Sequence, residues 1–268
     1  MTKDEKIFGR LRADYIKVAE KYTVLGVFLQ GSQNYNLDYE GSDIDTKAIV
    51  IPSLGDIVLN RKPVSTTWIL ESNEHIDVKD IRLMHECFRK QNINFVEVLF
   101  TKYRMLNPEF EMLYERMFIH AEEIARYNEV AAVKCILGQM MEKRKALCHP
   151  YPTIIDRIEK YGYDPKQLHH IMRNHDFLLK YVNGFSYREC LNPTLREWLI
   201  DIKRLPPLYT LEEAIALADE TMKVAKEIEQ KYLAHLEESN YTSSESASRI
   251  MNECLLDVMK ASLKSELV

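Results

Sequence analysis

The residues best placed to do chemistry lie in one stretch, VFLQGSQNYNLDYEGSDIDTKAIVIP, from Val27 to Pro52. An apolar run ends at Gly31-Ser32, a polar loop follows, and Asp43-Ile44-Asp45 opens a second apolar run, Ala48 to Ile51. If that run is a strand, alternation puts Asp43, Asp45 and Lys47 on one face and Ile44 and Thr46 on the other. Carboxylates that close repel unless a cation lies between them, so the pattern asks for a divalent metal ion. The glycine-serine turn offers backbone N–H groups and a hydroxyl to a phosphate. Either fragment alone is an ordinary loop or strand end. Strand, turn, loop and aspartate-bearing strand in that order would set the turn and the carboxylates side by side.

The elements that must position these groups read as follows. Asp4 to Tyr22 has apolar residues at Ile7, Phe8, Leu11, Tyr15, Ile16 and Ala19, the spacing of a packing helix whose charged remainder is solvated. Thr23 to Gln30 is the first strand. Ser53 caps a short helix in LGDIVLN. Thr66 to Leu70 and Glu74 to Val78 are strands joined through Glu71-Ser72-Asn73. On the second of them His75, Asp77 and Lys79 share a face. An aspartate in the middle of a strand needs a compensating partner, and a metal shared with Asp43 and Asp45 would supply one. Asp80 competes for that role, but it stands where the N-cap of the helix Asp80 to Lys90 belongs, with Ile81, Met84, Cys87 and Phe88 turned inward. Glu97, inside the apolar NFVEVLF, needs a cation or a site nearby.

Beyond Pro108 the pattern is helical. Pro108 to Met117 and Glu122 to Leu147 are helices, and the prolines at 150 and 152 end the second. Asp164 and Pro165 start another, on which Lys166, His170 and Arg173 fall at i, i+4 and i+7, with His169 close by. That basic stripe is either a solvated face or a clamp for phosphates. Asn192-Pro193 starts a helix carrying Trp198, and Thr210 to Glu213 is a capping box for a helix running to about Glu237. Glu238 to Ser248 reads as a flexible break before a last amphipathic helix, Ile250 to Leu263, suited to docking or to dimer contacts. Tyr35 and Tyr39 flank the polar loop and are candidates either to cap a core or to stack on a base.

Composition sets wide bounds. The 268 residues are 46% hydrophobic and 29% charged, enough for a sizeable core in one large domain or two modest ones. A net charge of -5 argues against a long nucleic-acid footprint, so any attraction for phosphate must be local. The cysteines at 87, 135, 148, 190 and 254 have no paired spacing, which suits reduced thiols in a cytoplasmic protein without a zinc site. No apolar run is long enough to cross a bilayer, so no membrane partner is expected.

The segment GSQNYNLDYEGSDIDTKAIVIPS resembles the DNA polymerase beta superfamily of nucleotidyltransferases, whose pattern is Gly-Ser, then Asp-x-Asp on a strand, then a third carboxylate on a later strand. It is most similar to a bacterial and phage branch of predicted nucleotidyltransferases, some of them linked to RNA repair. IDVKDIRLMHECFRKQNINFVEVLF and EKYGYDPKQLHHIMRN are also similar to that branch, so the likeness runs from about Gly26 to Asn174 and more weakly to about Ala225. Asn36 departs from it, standing where a glycine is usual. Asparagine is the next most tolerant residue for a left-handed backbone, so the turn can survive.

The resemblance implies an α+β fold, a small, mixed, partly antiparallel sheet with helices in a catalytic domain at 1–107, followed by an all-helical domain at 108–268 forming the other wall of a cleft. It implies that Asp43, Asp45 and Asp77 bind two Mg²⁺ ions, with Mn²⁺ as a substitute, and it favours Asp77 over Asp80. Gly31, Ser32, Lys47, Lys166, His170 and Arg173 would then bind a nucleoside triphosphate. The activity implied is transfer of a nucleoside monophosphate to an acceptor hydroxyl with release of pyrophosphate. The acceptor favoured is an RNA end, with a protein hydroxyl, as in AMPylating-type transferases, or a small molecule as alternatives. A nucleotide-binding or partner-binding protein that keeps the fold without turnover is the reading from another class, and a homodimer stays open.

Overall fold

The computed structural model describes residues 2–39 and 41–267. In chain order the first elements are α1 (Lys3–Ala19), β1 (Thr23–Gln30), β2 (Asp45–Ile51), α2 (Leu54–Val58), β3 (Ser65–Ile69), β4 (His75–Asp80), α3 (Ile81–Arg89) and α4 (Ile93–Val96). Then come β5 (Arg104–Leu106), α5 (Pro108–Ile119), α6 (Ala121–Ala125), α7 (Glu129–Ala146), α8 (Ile155–Tyr161) and α9 (Pro165–Val182). The chain ends with α10 (Tyr187–Leu191), α11 (Arg196–Lys203), α12 (Leu211–Glu238) and α13 (Glu245–Glu266). The fold is α+β.

Two compact units share the chain. The first comprises Met1–Asn34, Gly41–Asn128 and Ser243–Val268, and the second Tyr35–Glu40 and Glu129–Thr242. This division differs from the expected single break after residue 107. The apolar faces of α5 and α6 pack in the sheet-bearing unit, and α13 returns there to lie on α5, α3 and α6. The short loop before Gly41 folds with the helices instead.

The sheet of the first unit has the order β3-β4-β2-β1-β5. β1 is antiparallel to β2 and β5, β3 is antiparallel to β4, and β2 and β4 are parallel. Alternation along these strands builds two chemically different faces. Val27, Leu29, Ala48, Val50, Ile76 and Val78 form one core with Ile7, Leu11 and Val18 of α1. Burying each of those three helix residues stabilises by roughly 1.5–3 kcal/mol, so burial outweighs helix propensity in fixing α1. Phe28 faces the other way, its ring beside Tyr114 and Phe118 of α5.

Three expectations need correction. Phe8 and Ile16 are 46% and 56% exposed, and the fourth place on the buried stripe of α1 belongs to Asp14. The helix expected from Glu122 to Leu147 is interrupted at residues 126–128; Arg126 ends α6 and Glu129 begins α7. The helix expected from Asn192-Pro193 begins only at Arg196. In the second unit α9 starts as its sequence dictates, with Pro165 in the first turn and the Asp164 carboxylate accepting from the Lys166 N–H at 3.3 Å. Among the described residues no helix is long and apolar enough to cross a membrane.

Candidate active site

Gln30, the last residue of β1, pairs with Asp45, the first of β2. The chain turns immediately after Gln30 at Gly31, whose φ of 81° is one that a side chain would strain, and runs into a 3₁₀ turn, Gly31–Tyr35. Gly31-Ser32 and Asp45 are therefore brought together at one end of neighbouring strands. The Ser32 hydroxyl makes no hydrogen bond to the described residues. Asn36 adopts φ 55°, a left-handed conformation that asparagine tolerates.

Asp43 lies just before β2, exposed, with no hydrogen bond or ion pair among the described residues. Asp45 is 32% exposed, and one of its oxygens, Oδ1, accepts from the His75 N–H at 2.9 Å and lies 3.2 Å from His75 Nδ1. Its second oxygen is not hydrogen-bonded to the described residues. The two aspartates thus present carboxylate oxygens to solvent at the strand's start.

A buried network holds that start in place, and sequence reasoning did not find it. The Asp14 carboxylate, 2% exposed, accepts from the Thr46 hydroxyl at 2.6 Å and from Arg10 Nε at 2.7 Å. Arg10 also pairs with Glu74, whose other oxygen accepts from the Ile44 N–H at 3.0 Å. Burial raises the Asp14 carboxyl above the usual carboxylate range, against the pull of the Thr46 and Arg10 hydrogen bonds. Burial works the same way on Glu74 but is outweighed by donors from Ile44, Ser72 and Arg10, which hold it below that range. The signal available was the spacing Ile7, Leu11, Asp14, Val18, which sets an acid on an apolar stripe.

Asp77 stands opposite Lys47 in the parallel β2–β4 pair, so both side chains rise from the same face. Asp77 Oδ2 accepts from Lys47 Nζ at 2.6 Å, and Lys79 Nζ lies 3.1 Å from Oδ1. Lys47 itself is 2% exposed, with its ammonium 4.0 Å from the centre of the Phe95 ring. The side chain expected to be the third metal ligand is thus neutralised by two lysines. Among the described residues no three His, Cys, Asp or Glu side chains are gathered to hold a metal ion. Asp80 is the N-cap of α3, accepting from the Arg82 N–H at 2.8 Å and paired with the Arg82 guanidinium at 2.6 Å.

The other predicted nucleotide ligands, Lys166, His170 and Arg173, lie on α9 of the second unit. Lys166 is exposed, and its ammonium has no partner among the described residues. The Arg173 guanidinium lies 4.1 Å from the centre of the Tyr35 ring and donates to Asn174 Oδ1 at 3.1 Å. Burial pushes His169 down to about 3, with its Nδ1 2.7 Å from the Leu199 carbonyl, and burial and Arg173 push His170 well below the usual histidine range. Both are neutral at pH 7, so the stripe's charge is carried by Lys166 and Arg173. Tyr35 is 2% exposed and unavailable to stack on a base.

No protein-family model and no curated protein matches the chain. Among solved structures it is similar to a nucleotidyltransferase-like protein from Exiguobacterium sibiricum, with a TM-score of 0.33 and 13% sequence identity over 97% of this chain and 89% of that one.

Proposed function

We propose that the chain moves a nucleoside monophosphate from a nucleoside triphosphate to an acceptor hydroxyl. The observation that carries this reading is the Gln30–Asp45 pairing, which sets the Gly31-Ser32 turn beside two solvent-facing aspartates. The sequence resemblance supports the same assignment. In the reaction the acceptor oxygen bonds to the α-phosphorus as the bond to the bridging α,β-oxygen breaks. Pyrophosphate leaves, and the hydroxyl proton passes to a carboxylate or to solvent.

The donor set at the start of β2 is two hard carboxylates with uncommitted oxygens, which suits Mg²⁺ or Mn²⁺, so Asp43 and Asp45 would hold the ion. Such an ion, when bound, supplies positive charge to the phosphate oxygens. Asp77 does not fit that set while Lys47 and Lys79 claim it. Its role in this proposal is to position the buried Lys47 ammonium. Ser32 and the turn's N–H groups orient the departing phosphates, and the Arg10–Asp14–Glu74 network keeps Asp45 in register with the turn. An RNA end is the acceptor the resemblance favours, ahead of a protein hydroxyl or a small molecule.

The test is incubation of the protein with labelled nucleoside triphosphates, Mg²⁺ and total RNA, following pyrophosphate release and the destination of the label. Asp43→Asn combined with Asp45→Asn is expected to abolish release with an unchanged circular dichroism spectrum. Equal turnover by the double variant overturns the mechanism. The pairing of Asp77 with two lysines favours a second reading, nucleotide binding without turnover. Saturable nucleotide binding that ignores Mg²⁺ and yields no pyrophosphate selects it.

A further inference from the structure

In the second unit α11 adds two cations to the basic stripe that the sequence places on α9. Arg196, which opens α11, donates from Nε to the Asn36 carbonyl and from Nη2 to the Asp38 carbonyl at 3.2 Å. Lys203, which closes α11, donates to the Leu37 carbonyl and lies 4.9 Å from the centre of the Tyr39 ring. α9 packs on α11 and adds Lys166 and Arg173. These acceptors are neutral carbonyls and rings, which satisfy hydrogen bonds but cancel no charge. Arg196 also pairs through Nη1 with Glu197, so four cations stand against two nearby carboxylates, those of Glu197 and Asp38. Like charges so arranged are costly unless an anion joins them.

We infer that Lys166, Arg173, Arg196 and Lys203 form a binding site for a chain of phosphates on the helical unit. The proposal draws on the transfer reading only to name the source of the phosphates, either the triphosphate of a nucleotide or the 5′-phosphate of an acceptor end. Its electrostatics are visible at Lys203. Burial, with Lys166, Arg173 and Arg196, brings that ammonium down to about 8 against the pull of Asp38. The remaining groups around it are neutral His169, Tyr39, and Arg204, which pairs with Asp201 at 3.1 Å and whose guanidinium lies 5.5 Å from the Tyr39 ring. A bound polyanion favours the protonated amine. Binding near pH 8.5 is therefore accompanied by proton uptake, and affinity falls as pH rises through 8.

Titration calorimetry of the full chain with inorganic tripolyphosphate, in EDTA at pH 7, tests the inference. Lys166→Glu, at an exposed position that leaves the fold intact, is expected to weaken binding at least tenfold, and Lys203→Gln to weaken it similarly. In two buffers of different ionisation enthalpy at pH 8.5, the wild type takes up protons on binding, and Lys203→Arg binds without uptake. Competition by ATP but not adenosine identifies the nucleotide source. Competition by a 5′-phosphorylated oligoribonucleotide but not its 5′-hydroxyl form identifies the acceptor source. No saturable binding, competition by neither, or Lys166→Glu and Lys203→Gln that bind as the wild type does overturns the site and leaves the cations with loop anchoring only. The Asp43→Asn, Asp45→Asn protein is expected to bind tripolyphosphate unchanged. A wild type that binds it yet releases no pyrophosphate from any nucleotide overturns the transfer reading alone, and a wild type that transfers without binding it overturns this inference alone.

Discussion

Lys47 and Asp77 show how one pair of side chains sets the character of a sheet face. An ammonium buried to 2% exposure costs several kcal/mol of solvation unless a counter-charge stays with it, and Asp77 at 2.6 Å is that charge. Asp77→Asn is expected to lower stability in urea by about 3 kcal/mol, because it strands the lysine. A second change, Lys47→Met, should recover most of the loss, since an apolar side chain needs no partner there. The opposite sign is diagnostic: if Asp77 belonged to a cluster of mutually repelling carboxylates, removing its charge would stabilise the protein. From the sequence alone the need for a partner at Asp77 is legible, as an acid in mid-strand. Its identity is not, because Lys47 and Asp77 meet only through the lateral register of two parallel strands separated by α2 and β3.

At the scale of elements, legibility follows how local the cause is. The first two strands, the Ser53, Asp80, Asp164 and Thr210 caps and the hairpin of β3 and β4 rest on neighbours in sequence, and they stand as expected. β5 was missed because its three residues are too short to show alternation, and only pairing with β1 makes them a strand. Asp14 was missed because a charge on an apolar stripe reads as an interruption until Thr46 and Arg10 are seen to meet it. The loop between the Gly-Ser turn and Asp43 is the informative intermediate case. Asn36 sits at φ 55°, which asparagine tolerates and most side chains do not. Asn36→Gly should therefore leave thermal stability nearly unchanged, whereas Asn36→Ala should cost about 1 kcal/mol. Equal effects of the two would mean that backbone strain does not govern this turn.

For the molecule as a whole, the chain's route is the feature that local patterns could not reveal. It passes from the sheet-bearing unit to the helical one at residue 35, returns at 41, leaves again at 129 and comes back for α13 at 243. The net charge of -5 likewise averages over a local excess of cations on α9 and α11, so global electrostatics conceals where phosphate would be attracted. The return of α13 supports the docking role among the two its amphipathic pattern allowed, because Ile250, Met251, Cys254 and Val258 are buried and the helix lies on α5 and α3 of its own chain. Arg116 on α5 pairs with Asp257 at 2.6 Å, and His85 Nε2 on α3 lies 2.8 Å from Asn252 Oδ1, fixing its register. Four buried side chains at roughly 1.5–3 kcal/mol each amount to about 6–12 kcal/mol, comparable to the whole stability of an ordinary domain. Deleting residues 243–267 should therefore unfold the sheet-bearing unit, and circular dichroism should lose far more structure than one helix contributes. A truncated chain that stayed folded and merely changed its oligomeric state would instead assign α13 to contacts between copies.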